Sequence, residues 1–387
     1  MNRVNSGAPD LCSDENRPGT GEPMAHLYGG AASDAGTPWI SPVLLRLIGG
    51  AVPLATAGFA LVVIAAAVGP YSIPTSQTFD IVLEQVGLGQ SSASETEVAI
   101  VATVRLPRIA LALVVGAALG VAGAVMQGLF RNPMADPGII GVSTGGALGA
   151  VIAIALGAQA LFSLALPAMS FAGATAALTL VYAVASVRGR FSMAVLLLAG
   201  VAVSACLAAV ISVIVLFTEN LEAQREMLFW LAGGLDASRW SDVRISLPFV
   251  LFGAAVAVVF SRDLNLLMVS EEEAHALGVR VGVTRNTLLV AASLITGTAV
   301  AFSGTIAFVG LVVPHTLRLV AGADHRVLIP LSALGGGVFL LAADTLARLV
   351  ISPAEVSVGI ITALVGAPFF LMLLIRNKAR VSYVTGY

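Results

Sequence analysis

The chain of 387 residues is 58% apolar and only 11% charged, and its 20 Lys and Arg against 22 Asp and Glu leave a net charge of −2. A soluble domain carries roughly a quarter charged residues, and one soluble core cannot hide this much apolar surface, so lipid must cover it. Near-neutral charge, with basic residues scattered singly and Lys378 as the only lysine, excludes a nucleic-acid partner.

Residues 1–41 are rich in Gly, Pro, Ser and acids and show no apolar period, so a disordered tail is expected there. The first apolar run begins only near Val43, too late for a cleavable secretory leader. Beyond it, stretches free of Asp, Glu, Lys and Arg cover Leu47–Phe79, Ile109–Phe130, Pro137–Val187, Phe191–Thr218, Ile245–Ser261, Asn286–Leu317, Val327–Ala343 and Val356–Ile375. A helical span takes about 20 residues, because a hydrocarbon layer of ~30 Å is crossed at ~1.5 Å per residue. Pro137–Val187, at 51 residues, is therefore two spans divided between Gly157 and Pro167, and Asn286–Leu317 divides at Ser303-Gly304-Thr305. The expectation is an all-α integral membrane protein, a polytopic bundle of about ten helices over 42–378, followed by a short cytoplasmic tail at 379–387. Ten spans put both termini on one side, and that side holds 14 of the 20 Lys and Arg residues against 6 opposite. Both termini are accordingly expected in the cytoplasm.

Several motifs carry less than they suggest. Gly116 and Gly120, and Gly141, Gly145 and Gly149, recur at four-residue spacing, which lets apolar helices approach closely. Gly141-Val-Ser143-Thr-Gly145 matches the nucleophile elbow, but that turn needs a preceding strand and His and acid partners; helix packing accounts for it better. There is no phosphate-binding G-x-x-x-x-G-K-[ST] loop, so the chain has no means of cradling ATP in that way. Cys12 and Cys206 indicate no disulfide framework, no metal-ligand spacing appears, and His315 beside Pro314 reads as a hydrogen-bonded structural histidine.

The charges are more informative. Proton- and ion-coupled transporters keep ionisable residues at the bilayer midplane. Here only Asp344 and Arg348 come near a span interior, one turn apart and able to pair. A secondary transporter is thereby disfavoured, and energy for uphill transport has to come from a partner. Between Arg262 and Arg285, Ser270-Glu271-Glu272-Glu273-Ala274-His275-Ala276-Leu277-Gly278 spells a short helix outside the membrane, with Ser270 and Glu273 as a capping box and Gly278 as the stop. It is either a docking element or a capped connector. On the other face, Leu221–Gly233 carries Arg225, Phe229 and Trp230 among mixed charges, an interfacial helix that lines a mouth or anchors in headgroups.

R-L-P-R at 105–108 and G-A-V-M-Q-G-L-F-R-N-P-M-A-D-P-G-I-I-G-V-S-T-G at 123–145 resemble the iron-siderophore, heme and vitamin B12 importer permease family, as do G-T-I-A-F-V-G-L-V-V-P-H-T-L-R-L at 304–319, D-H-R at 324–326, A-D-T-L-A-R at 343–348 and V-G-I-I-T-A-L-V-G-A-P-F-F at 358–370. A-E-V-S-V-G at 354–359 lacks the proline usual at that place. The resemblance covers about 42–378. It implies a non-catalytic subunit in the bacterial inner membrane, a homodimer with the pathway on its axis, two ATP-binding subunits that use the ATP, a periplasmic substrate-binding protein, and no permanently bound cofactor or metal. It also implies that Ser270–Gly278 is the ATPase coupling helix, and that Arg105, Arg108 and Arg348 dock the acidic lobes of the binding protein. The alternative for these arginines is pairing with Asp344 and Glu355 or snorkelling to headgroups. Arg225, Phe229 and Trp230 most resemble the heme permeases, with ferric siderophore and cobalamin as alternative cargoes.

Overall fold

A computed structural model of the protein describes residues 41–385 except 70, 72, 86, 88, 90, 187–191, 352 and 353. The tail expected at 1–41 falls, but for Ser41, outside the described residues, as do Arg188 and Arg190 of the charge count. The helices are α1 (Pro42–Ala67), α2 (Thr75–Gln85), α3 (Glu95–Ala99), α4 (Leu106–Leu129), α5 (Val142–Ala155), α6 (Ala165–Ala185), α7 (Met193–Phe217) and α8 (Leu221–Ala232). They continue as α9 (Trp240–Val259), α10 (Ser261–Val269), α11 (Glu271–Ala276), α12 (Val281–Ser303), α13 (Val309–Ala321), α14 (His325–Leu349) and α15 (Val358–Thr385). No strand occurs among the described residues.

Among the described residues seven helical stretches are long and apolar enough to cross a membrane: α1, α3 joined to α4, α6, α7, α9, α12 and α14. The shorter apolar helices α5 and α13 and the Val358–Met372 part of α15 bring the set to the ten apolar segments that the sequence divides into. Both divisions fall at left-handed glycines, Gly157 (φ 61°) between α5 and α6 and Gly304 (φ 66°) between α12 and α13, a conformation that carries no steric penalty only for glycine.

Three boundaries differ from the sequence reading. The run Leu47–Phe79 is not one span: α1 ends at Ala67, and α2 is a separate, more polar helix. The next span starts not near Arg105 but at Glu95, where Ser94 and Glu97 form a capping box, and it runs through a π-helical turn over Ile100–Arg105 into α4. Its 35 residues are about 52 Å long at helical rise; such a helix outruns the apolar layer, and its charged first turns therefore carry no hydropathy signal. Finally, α15 runs past residue 378 to Thr385, so the backbone is helical through most of the expected C-terminal tail.

The centre of the bundle is α4, α12 and α14, while α1 and α7 expose most of their apolar surface. Between helices already in lipid there is little hydrophobic drive, and small residues that bring backbones together supply the packing instead. The antiparallel pair α4–α14 does this along its length: a Cβ on Gly116 would overlap the Gly336 carbonyl oxygen, one on Gly120 the Ser332 carbonyl, and one on Gly337 would stand 3.1 Å from the Leu113 oxygen. Gly145 meets Gly173 across α5–α6, while Gly141 is the left-handed N-cap of α5. The Ser143 motif thus sits on a helix start between packed helices, with no strand before it.

Gly116→Ala pushes a methyl into the Gly336 carbonyl, and overpacking of this kind costs about 1–3 kcal/mol. The unfolding midpoint in detergent should fall clearly, whereas Gly49→Ala, which meets nothing within 4 Å, should leave it in place. Equal midpoints for the two variants would contradict close α4–α14 contact.

Candidate functional site

The last carbonyls of a helix lack intrahelical partners, and cations are favourable there. At the C-terminal end of α1, Arg348 Nη1 donates to the Ala65 and Val68 oxygens (3.1 and 2.9 Å). Arg105 Nη1 donates to those of Ala66 and Ala67 (2.6 and 3.0 Å), and its Nη2 to Tyr71. Two guanidiniums from other segments thus cap one helix.

Beside them Arg108 reaches three carboxylates. Its Nε donates to Asp344 Oδ1 on α14 at 2.8 Å, its Nη1 to Glu355 Oε2 at 2.6 Å, and its Nη2 lies 3.2 Å from Asp236 Oδ1 in the α8–α9 loop. Arg348 Nε is 3.2 Å from the other Asp344 oxygen, one helical turn away. Three cations and three anions therefore balance in one cluster. Asp344 is fully buried, and Arg105, Arg108 and Arg348 are only 4–5% exposed. The sequence leaves two readings of these arginines, docking a partner or pairing with Asp344 and Glu355; in the structure they are internal, because the helix ends and carboxylates they satisfy come from distant parts of the chain. Asp236, with its side chain 49% exposed, is the most accessible acid of the three. Partial burial pushes its carboxyl up, opposed by the neighbouring Arg108 guanidinium and reinforced by Glu355 and Asp344.

Asp236 also faces a cleft of about 290 Å³, whose wall includes Gln159, Glu226, Phe229, Trp230, Arg239 and Phe302. Asn220 starts α8 by accepting from the Glu222 and Ala223 amides; buried Met227 seats the helix, leaving Phe229 59% exposed. At the end of α8, Gly233 turns left-handed, its carbonyl accepts from the Gly359 amide (3.0 Å), and the Gly234 amide donates to Ser303 (2.9 Å). α8 is thereby stitched to the α12 break and the start of α15. Phe229 and Trp230 line the cleft together, but Arg225, exposed on α8, does not; the arginine in the wall is Arg239. Sequence reasoning missed Arg239, Asp236 and Gln159, since nothing local in their segments marks a cleft.

The opposite end of the bundle carries the acidic segment. It is one arm of a helical hairpin, since α10 precedes α11. Ser270 Oγ accepts from the Glu273 amide at 2.9 Å, and left-handed Gly278 ends the turn, with the Val279 amide donating to Ala274. Glu271, Glu272, Glu273, His275 and Ala276 are on the short helix, Ala274 is its buried anchor, and Leu277 at its C-cap is 68% exposed. His315, partly buried, is on α13. Among the described residues no group of three His, Cys, Asp or Glu is placed to hold a metal ion.

Residues 57–376 match the FecCD transport family. The chain is 52% identical over 75% of its length to the cobalamin import system permease of Halobacterium salinarum, covering 77% of that protein. It is 43% identical to the hemin transport system permease of Yersinia pestis (71% and 83% covered) and 42% to the Fe(3+) dicitrate permease of Escherichia coli (71% and 84%). Among solved structures it resembles a metal-chelate type ABC transporter in an inward-facing conformation, with TM-score 0.73, 33% identity, and 84% and 98% of the two chains covered.

Truncating Arg108 to Ala strands the buried Asp344 with Arg348 alone, and removing one partner of a buried pair costs about 3–5 kcal/mol. Arg108→Ala should sharply lower the yield and unfolding midpoint of the purified protein, while Arg225→Ala changes neither. Wild-type stability in Arg108→Ala would show that the cluster contributes nothing to the fold.

Proposed function

Because the chain belongs to the FecCD transport family, whose members are non-catalytic permease subunits of metal-chelate, siderophore, heme and vitamin B12 importers, we propose that its own cargo is a metal tetrapyrrole. The observation that carries this reading is the pairing of α8 aromatics with polar groups in one cleft: exposed Phe229 and half-buried Trp230 beside Arg239 and Gln159. A flat macrocycle with carboxylate or amide side chains needs apolar faces and hydrogen-bonding groups close together. Relatives named for cobalamin and for hemin support the class. Within it, heme is favoured by Arg225, which stands one turn before Phe229 and so shares its helix face, where a guanidinium meets a propionate well.

In this reading the termini and the α10–α11 hairpin are cytoplasmic, and the Arg108 end faces the periplasm. A homodimer carries the pathway on its axis, two ATP-binding subunits seat on Ser270–Gly278, and a periplasmic binding protein delivers cargo to the Arg105, Arg108 and Arg348 end. Since those arginines are already engaged, a docking carboxylate would reach Arg108 by taking the place of Asp236, the most exposed of its partners.

Uptake into proteoliposomes holding the chain, its ATPase and its binding protein tests the cargo. ATP-dependent uptake of hemin or cyanocobalamin is expected, with ferric siderophore at background; siderophore uptake alone would overturn the tetrapyrrole reading. Arg225→Ala should depress hemin uptake selectively, and equal uptake would remove heme as the preferred cargo. Leu277→Asp, which puts a charge into an apolar contact at a cost of several kcal/mol, should strip the ATPase from an otherwise folded bundle. Full complex recovery with this variant would move the coupling contact elsewhere.

A further inference from the structure

We propose that Asn265 is the positioning residue that ties the α10–α11 hairpin to α14, so that movement imposed on the hairpin displaces α14 and, with it, the Asp344–Arg348 end. This rests on the reading of Ser270–Gly278 as the ATPase contact.

The Asn265 side chain joins α10 to the start of α14 through Asp324 and His325, 59 and 60 residues away in sequence. Its Nδ2 donates to Asp324 Oδ1 at 2.7 Å. Its Oδ1 accepts from the His325 backbone amide at 2.9 Å and lies 2.8 Å from His325 Nδ1. A carboxylate only accepts and a backbone amide only donates, so the orientation of the Asn265 amide is fixed by its partners, and His325 Nδ1 must carry the proton. His325 itself is fully buried. Asp324 is in turn the N-cap of α14: it accepts from the Arg326 amide at 3.0 Å and pairs with the Arg326 guanidinium at 2.6 Å. These bonds, the Arg326 side chain first, draw its carboxyl down to about 2. Asp324 is therefore an anion at any physiological pH, and its grip on the Asn265 amide is charge-assisted.

The remaining contacts of α10 on the central helices are apolar or weaker. Leu264 is fully buried on Gly128 of α4, where a Cβ would lie 3.0 Å from it and 2.8 Å from His325 Nε2. Thr284 of α12 reaches Asp263 at 3.3 Å. An apolar contact resists separation but permits sliding; a side chain committed in three directions resists both, because hydrogen bonds weaken steeply when misaligned. Downstream, α14 is one continuous helix in which Asp344 lies nineteen residues from His325, roughly 29 Å at helical rise. It is also the helix in backbone contact with α4. A pull at its N-terminus therefore arrives at Arg108, whose carboxylate partner rides on the same helix.

The test uses the full complex in proteoliposomes, with hemin or cyanocobalamin as cargo and uptake per ATP hydrolysed as the readout. Asn265→Asp keeps the shape and the oxygen that accepts from His325 but turns a second carboxylate oxygen toward Asp324. Complex yield and ATP hydrolysis should persist while uptake per ATP falls about tenfold. Combining it with Asp324→Ser keeps an N-cap oxygen that accepts from the Arg326 amide while its O–H donates to the new carboxylate, and should restore most of the ratio. A wild-type ratio in Asn265→Asp overturns the proposal. So does a double variant that regains thermal stability but not the ratio, because Asn265 is then a structural residue only. Failure of the wild-type complex to take up either cargo would instead refute the functional reading on which this rests.

Discussion

The backbone contact between α4 and α14 is the constraint on which the rest depends. With Gly116, Gly120, Gly336 and Gly337 removing the side chains between them, the two helices lie too close to shift independently by small amounts. Their ends are therefore in fixed register. At one end Arg108 of α4 faces Asp344 of α14; at the other, Gly128 of α4 opens the slot that His325 of α14 fills. Had either pair of glycines been alanines, the arginine and its carboxylate would stand apart, and a buried charge would have lost its partner, which costs more than the pair contributes.

Electrostatics then divide the molecule into two polar ends and an apolar middle. Arg105 and Arg348 are spent on the open carbonyls of α1, and Arg108 on three carboxylates. This explains why so many charges sit within a few residues of membrane-spanning helices without being expelled: each is hydrogen-bonded to a group that would itself be costly if left alone. It also restricts what the chain can do unaided. A cluster balanced within one chain holds helices together, and it gives no route for ions across the middle.

Much of the architecture was legible because lipid imposes it. Every apolar run long enough to span became a helix, and the two ambiguous runs broke at Gly157 and Gly304, where a left-handed turn requires glycine. What was not legible depended on contacts distant in sequence. Asp344 and Arg348 announce their pairing by spacing, but Arg108 meets Asp344 across 236 residues, and nothing in R-L-P-R tells a buried arginine from a rim arginine. The start of this span at Glu95 was hidden for a different reason: Glu95 and Glu97 look like loop residues until Ser94 is seen to cap them. Asn265, an uncharged residue within α10, gave no signal at all. Its role exists only where α14 begins.

The polar ends are linked by a helix that contributes little chemistry of its own. Along α14 between Arg326 and Asp344 the sequence holds Ser332 and no charge, so nothing along its length competes with the contacts at its tips. A helix of this kind transmits position and little else. Work done on the chain by a nucleotide-binding partner would then enter and leave through side-chain pairs at α14's two ends, Asn265–Asp324 and Arg108–Asp344. Such a device needs rigid packing in the middle and exchangeable hydrogen bonds at the tips. The glycine seam supplies the first. The half-exposed Asp236, the weakest of the three partners of Arg108 by distance, is the place where the second is already loosest.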